Sequence, residues 1–147
     1  MMKQGVILMR HEKEPSVLSD LKFPNLWLAL GLLFVTLLVV LSLMPHPPQV
    51  AHFRGNDKLF HFAAYVATTF WFGQIYTRTG ARWAIAFSFV VLGISLEFLQ
   101  RQSGYRTFEV ADMGANAAGV FCALLLARTP LSRCLAAVER SISRVSA

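Results

Sequence analysis

Residues 23–45 read FPNLWLALGLLFVTLLVVLSLMP, a stretch without a charged side chain. Its centre, residues 26–44, is long enough to cross the hydrocarbon layer of a bilayer as one helix. A cleaved signal peptide is the alternative interpretation. The apolar stretch is longer than a typical signal core, however, and no small-residue cleavage motif follows it before His46. We therefore predict an uncleaved first transmembrane helix.

Three further apolar segments follow, at residues 59–76, 83–100 and 108–127. Each would form about 27 to 30 Å of helix. Only helices and closed barrels satisfy the backbone in lipid, and the alternating pattern of barrel strands is missing, so the predicted class is all-α. The short connections predict an antiparallel bundle of four transmembrane helices. A soluble helical bundle is disfavoured because these segments lack a polar face.

The composition agrees with a membrane protein of one domain. The chain has 147 residues, of which 55% are hydrophobic and 15% charged, with a mean hydropathy of +0.50. These values exclude a disordered chain and an ordinary soluble domain. We predict a cytoplasmic segment at 1–22, the four-helix domain at 23–128 and a tail at 129–147. Apolar residues of this tail recur every three or four positions, which predicts an amphipathic helix on the inner leaflet.

Basic residues are unevenly distributed about the predicted helices. With the N-terminus inside, ten of the fourteen Lys and Arg residues lie on the cytoplasmic side. The positive-inside rule therefore places both termini in the cytoplasm. The net charge of +6 is accordingly a topology signal, and we predict membrane lipids as partners and no nucleic acid.

Polar residues collect at the outer ends of three predicted helices and in one outer loop. We predict that they form one ligand-binding cluster, and that helix periodicity places several of them on shared faces. The predicted ligand-binding residues are Asp57, Lys58, His61, Tyr65, Glu97, Gln100, Arg101, Arg106, Asp112 and Asn116.

Helix capping offers a simpler explanation for part of this set. Asp57, Glu109 and Asp112 lie at helix starts and Arg101 lies at a helix end, all as the helix dipole favours. Glu97 differs, because a negative charge is disfavoured near a helix C-terminus. It needs a partner, for which Lys58, His61, Arg101 and Arg106 are the candidates.

Glu97, His61 and Asp112 are also the candidates for acid/base catalysis, since a histidine titrates near neutral pH. A metal site built from His61, Asp112, Glu97 and either His46 or His52 is conceivable. Its spacing matches no familiar ligand pattern, so no metal is predicted. The chain also lacks a Gly-rich phosphate loop, and no cofactor is predicted.

Small residues recur every four positions in the fourth predicted helix. Ala111, Ala115 and Gly119 form one such row, and Gly114 and Ala118 form another. Such rows allow a neighbouring helix to approach closely. Together with Gly93 of the third helix, they are expected to bring the polar residues together.

The polar residues resemble the motifs of the VanZ-like membrane proteins, named for a protein associated with teicoplanin resistance. The resemblance covers residues 23–128 and rests on three blocks in the same order: DKxxHxxxY from Asp57, GxxxExxQ from Gly93, and Arg106 followed by DxxxNxxG from Asp112. One departure is visible, because Gly104 and Tyr105 stand where members often carry Pro-Gly.

That resemblance implies a multi-pass protein of the bacterial inner membrane. We expect the cluster to bind an envelope component, either a lipid-linked cell-wall precursor or a lipid headgroup, with a link to teicoplanin susceptibility. The alternatives are an enzyme that does acid/base chemistry on such a lipid, and a structural protein that binds a partner. The sequence leaves open whether the chain forms a homo-oligomer.

The predicted topology is testable by labelling. A membrane-impermeant thiol reagent added outside the cell should modify Gly104→Cys, because this residue follows the third helix on the outer side. It should not modify Gly80→Cys in the inner loop. The opposite labelling pattern would overturn the topology.

Overall fold

The computed structural model describes residues 21–45, 57–104 and 109–145, which contain helices and no strand. The prediction of an all-α fold is therefore confirmed for these ranges. The elements are α1 (Pro24–Leu43), α2 (Asp57–Ile75), α3 (Thr79–Ser103), α4 (Val110–Leu126), a 3-10 turn (Pro130–Arg133) and α5 (Cys134–Val145).

Two of these helices, α1 and α3, are long and apolar enough to cross a membrane. A third span is counted if α4 and the segment Pro130–Arg144, which meet at 78°, form one bent crossing. Helix α2 fails the same criterion, because polar side chains at both of its ends lower its hydropathy, and α4 alone has only 17 residues. The structure therefore indicates a membrane protein, and the four-span bundle stays a prediction.

Hydrogen bonds between helices define their relative directions. Near the start of α1, the Trp27 carbonyl accepts from Trp71 Nε1 near the end of α2 at 2.9 Å, so these two helices are antiparallel. The ends of α3 and α1 meet where Gln100 Nε2 donates to the Ser42 carbonyl at 2.6 Å. Successive helices thus alternate in direction, as predicted.

The most extensive helix contact joins α2 and α4, which run parallel. A Cβ built on Gly119 of α4 would lie 2.5 Å from the Phe62 carbonyl oxygen and 3.0 Å from Tyr65 Cβ on α2. Glycine is thus the residue that permits this separation. Gly114 is different, since it is exposed and a Cβ there would meet none of the described residues within 4 Å. The predicted close packing is therefore correct for Gly119 and wrong for Gly114.

Arg82, near the start of α3, forms hydrogen bonds with the C-terminal ends of both α2 and α4. Its Nε donates to the carbonyls of Gly73 and Tyr76, both at 3.0 Å, and its Nη1 donates to the Ala127 carbonyl at 2.8 Å. The last carbonyls of a helix lack partners within the helix, so one guanidinium satisfies groups from two helix ends.

Glu139 of α5 caps the beginning of α1. Its carboxylate accepts from the backbone N–H of Lys22 at 2.6 Å, from that of Phe23 at 2.9 Å and from Trp27 Nε1 at 2.7 Å. Burial raises the pKa of this carboxyl, but the three hydrogen bonds outweigh it and hold the pKa below its usual value. The ionised carboxylate of Glu139 therefore attaches α5 to the start of α1.

Large apolar side chains cover the outside of the bundle as well as its core. Leu32 of α1 is 61% exposed and Phe87 of α3 is 71% exposed. The core itself contains Leu38, Tyr65, Phe72, Phe89, Leu96 and Val120. On α5, Leu135 is buried, whereas Leu131, Val138 and Ile142 near and along this helix are exposed. An apolar exterior of this kind is suited to contact with lipid.

The close approach of α2 and α4 makes a testable prediction. Gly119→Ala should destabilise the protein by about 1 to 3 kcal/mol, because the added methyl group collides with the α2 backbone. Gly114→Ala is the matched control in the same helix. It should be neutral or stabilising by up to about 1 kcal/mol, since alanine favours helix formation. Unfolding in detergent, followed by circular dichroism, measures both; equal destabilisation would contradict the packing.

Candidate ligand-binding site

A group of polar side chains lies where the beginnings of α2 and α4 meet the end of α3. We call it the polar cluster, and it consists of Asp57, Lys58, His61, Glu97, Glu109, Asp112 and Asn116. The parallel packing of α2 and α4 explains its composition, because equivalent turns at the two helix starts face each other.

Lys58 bridges two carboxylates of the cluster. Its Nζ lies 2.7 Å from Glu109 Oε2, within hydrogen-bonding distance, and 3.8 Å from Asp112 Oδ1. Lys58 and Glu109 have half-exposed side chains, whereas only 7% of the Asp112 side chain is exposed. The hydrogen bond from Lys58 and its positive charge hold the pKa of Glu109 below its usual value. Lys58 therefore compensates one exposed and one buried acid.

Glu97 is almost completely buried, with 1% of the residue exposed. Its Oε1 accepts a hydrogen bond of 2.8 Å from the backbone N–H of Glu109. This partner differs from the side chains considered from sequence. Because Glu109 immediately precedes α4, whose first N–H groups lack intrahelical partners, the bond ties the end of α3 to the start of α4.

Polar side chains lie beside both ring nitrogens of His61. Its Nδ1 lies 3.2 Å from Asn116 Oδ1, and its Nε2 lies 3.8 Å from Asp57 Oδ1. An amide oxygen only accepts, so with this amide orientation Nδ1 is the donor to Asn116. The second ring nitrogen, Nε2, therefore faces Asp57.

Two buried polar atoms near the cluster have no hydrogen-bond partner within the described ranges. They are the Tyr65 hydroxyl and Asp112 Oδ1. Tyr65 is 1% exposed. A Cβ built on Gly93 would lie 3.1 Å from the Tyr65 hydroxyl oxygen and would also contact Asn116. Buried polar groups normally find partners, so each such atom calls for an explanation.

Most of the predicted site residues lie at this end of the bundle, but not all of them contact one another. Gln100 is buried and donates to α1 through the Ser42 carbonyl, while Arg101 is exposed at the end of α3. Arg106, like His46 and His52, lies outside the described residues. Whether these positions bind a ligand stays a prediction.

Sequence reasoning assigned Glu109 only a capping role. In the structure its carboxylate pairs with Lys58 and its backbone N–H binds Glu97, so it connects both halves of the cluster. Its position directly before an apolar segment was the available signal, but helix capping explained that position equally well.

The two ends of the bundle differ in charge. The polar cluster contains four carboxylates and the Lys58 ammonium group, and Arg101 is exposed nearby at the end of α3. At the other end, Lys22, Arg140 and Arg144 line a groove beside α5, and Arg82 fastens the helix ends. Within the described ranges, the α5 end is therefore the more basic of the two.

Comparison with known proteins adds little about function. No family model matches the chain, and no solved structure matches it. A protein of Schizosaccharomyces pombe, described as uncharacterized protein C11E3.10, is 31% identical over 97 residues. The matched region is 64% of this chain and 59% of the yeast protein, so the chain spans about three fifths of that relative's length. The VanZ-like resemblance thus stays a prediction.

The bridge formed by Lys58 can be tested by a double substitution. Lys58→Met should lower the unfolding temperature, because the buried Asp112 loses its nearest cation. Adding Asp112→Asn should recover much of the loss, since the uncompensated charge is then removed as well. Thermal unfolding of the two single variants and the double variant measures this coupling; strictly additive effects would show that the two groups do not interact.

Proposed function

We propose that this chain is a VanZ-like integral membrane protein in which α1 to α4 each cross the bilayer. The apolar lengths of α1 and α3 support this proposal directly. Helix α2 is packed in parallel beside α4, and Arg82 of α3 binds the last turns of both. Two helices fixed in this way to a membrane-spanning neighbour share its depth, and their interior position allows them more polar residues than a lipid-exposed helix.

The proposed orientation places the polar cluster at the outer surface and α5 at the cytoplasmic surface. The α5 end carries Arg82 near the start of α3, and Arg78, Arg128, Arg133, Arg140 and Arg144 in the loops and the tail. An excess of basic residues is typical of the cytoplasmic side. The exposed apolar side chains of α5 would then enter the inner leaflet, with its arginines near anionic headgroups.

The polar cluster, on this proposal, binds the polar group of a membrane lipid or of a lipid-linked envelope component. The observation that carries the proposal is the convergence of ionisable side chains from three helices at one end of the bundle, where Glu97 and Asp112 are buried. Ionisable groups are costly in such surroundings, and they are usually retained where they bind or transport something. The unpartnered Tyr65 hydroxyl and Asp112 Oδ1 offer unused hydrogen-bonding capacity to that ligand.

The roles of the individual residues follow from their exposure. Lys58 and Arg101 are accessible at the surface and would contact phosphate or carboxylate oxygens, as would Arg106. Asp112 and Glu109 hold Lys58 in place. Tyr65 and Asn116, deeper in the bundle, would supply directional hydrogen bonds.

Between the two ligand classes, we favour a phospholipid headgroup. A similar protein occurs in the yeast Schizosaccharomyces pombe. Phospholipids occur in yeast and in bacteria alike, so this ligand would suit both proteins. A role in teicoplanin susceptibility would then be a secondary effect of lipid binding.

Lipid that copurifies with the protein provides the test. Glu97→Gln keeps an oxygen that accepts from Glu109 N–H but removes the charge, so the fold should be preserved while lipid retention falls at least fivefold. The matched control is Glu139→Gln, which neutralises a buried carboxylate at the opposite end and should retain lipid normally. Mass spectrometry of lipid per mole of protein measures the effect.

The same experiment separates binding from a purely structural role. If Glu97→Gln lowers protein abundance and unfolding temperature while the surviving protein keeps its lipid, the cluster serves packing alone. Equal lipid retention in the wild type and both variants at normal abundance would also remove the proposal.

A further inference from the structure

We propose that Asp57, His61 and Asp112 form a binding site for one divalent transition-metal ion, with Zn²⁺ or Mn²⁺ as the expected occupant. This inference goes beyond the proposed function and does not rest on it. One ligand atom from each of the three residues lies within 4.8 Å of the other two.

The spacing of these atoms is close to what a metal requires. Zinc binds nitrogen and oxygen ligands at about 2.0 to 2.2 Å, which places tetrahedral ligand atoms about 3.4 Å apart. His61 Nε2 and Asp57 Oδ1 are already 3.8 Å apart. The Asp57 side chain is 61% exposed, so the site can be reached from solvent on that side.

The surroundings of His61 fit a metal ligand in a second respect. A metal-binding histidine usually donates its other ring N–H to an oxygen acceptor, which fixes the tautomer and the ring orientation. Here Nδ1 lies 3.2 Å from Asn116 Oδ1, which leaves Nε2 on the side of Asp57. Asn116 would thus be the orienting residue of the site.

Asp112 supplies an independent observation. Its Oδ1 is buried and accepts no hydrogen bond from any described residue, and the nearest ammonium group, Lys58 Nζ, is 3.8 Å away. A buried carboxylate oxygen without a partner is costly in a bundle of this kind. A metal ion bound beside it would provide the missing interaction.

The charge of the polar cluster also favours a cation. The cluster contains four carboxylates and one ammonium group, and Lys58 makes its short contact with Glu109, which is not one of the three ligands. Lys58 can therefore remain on Glu109 at 2.7 Å while Asp112 turns to the metal. The repulsion between Lys58 and the ion lowers the affinity but leaves the three ligand atoms available.

The ligand set limits the class of metal. Imidazole is preferred by zinc, iron, nickel and copper, whereas carboxylates also suit manganese, magnesium and calcium. One imidazole with two carboxylates therefore favours the divalent ions from Mn²⁺ to Zn²⁺ in the first transition row. The usual order of affinities predicts that Zn²⁺ binds more tightly than Mn²⁺. With three protein ligands, a coordination position stays open for water or for an anionic oxygen.

Sequence reasoning rejected a metal site because it looked for a linear pattern with several histidines. Asp57 and His61 are four residues apart, which places them on one face of α2. The third ligand comes from α4, 51 residues after His61, and only the parallel packing of the two helices brings it near.

The test uses the purified full chain in detergent, with Cys122→Ser and Cys134→Ser to remove thiol ligands, and Zn²⁺ alone as the probe. Competition with a fluorescent chelator should show one equivalent of bound Zn²⁺. His61→Ala and Asp112→Asn should each weaken binding about 30-fold or more. Asp57→Asn, a substitution of equal size at an exposed position, should weaken it about 10-fold. The control Glu139→Gln should bind as the wild type does.

Visible absorption spectroscopy of bound Co²⁺ provides a second measurement of the same site. Co²⁺ added to the wild type should give the visible absorption of a low-symmetry site with nitrogen and oxygen ligands, and His61→Ala should abolish it. The proposal is overturned if the wild type binds no stoichiometric Zn²⁺, or if the folded ligand variants and the control bind it equally. Lipid retention is measured separately, so the proposed function can fail while this site stands, and the reverse also holds.

Discussion

The structure depends on the close contact between α2 and α4 at Gly119. A glycine at this position brings the α4 backbone against the Phe62 carbonyl oxygen and the Tyr65 Cβ, with no room for a further atom. In a membrane, helix association relies on such packing, because lipid chains solvate apolar side chains as well as another helix does. The contact fixes the helices in parallel and sets their register, which decides which polar residues meet.

The polar cluster follows from that register. Lys58 and His61 lie in the first turns of α2, and Asp112 and Asn116 lie in the first turns of α4. The two pairs face each other. Glu97 then attaches α3 through the backbone N–H of Glu109. An ionisable group on any one of these helices would be unfavourable in isolation, and contacts such as Lys58 with Asp112 compensate it from another helix. The two unpartnered oxygens show where this compensation is incomplete.

Much of this architecture was accessible from the sequence, but the partners were not. Apolar segments predicted the helices and their alternating directions, and polar residues at matching helix ends predicted a cluster. The hydrogen bond from Glu109 N–H to Glu97 was missed, since a backbone N–H has no sequence signature. The metal-like grouping of Asp57, His61 and Asp112 was missed as well, because it depends on helix register. Gly114 and Gly119 look alike in sequence, yet only one of them faces a neighbouring helix.

Formation of a disulfide between α2 and α4 is the most direct test of this account. A Cβ on Gly73 would lie 3.3 Å from Ala127 Cβ, close to the separation that a disulfide needs. With Cys122 and Cys134 replaced by serine, Gly73→Cys with Ala127→Cys should cross-link readily in membranes, and Gly73→Cys with Ala115→Cys should not. Cross-linking of the second pair in preference to the first would mean that the helices are antiparallel. The acids and bases of the polar cluster would then lie at opposite ends of the bundle.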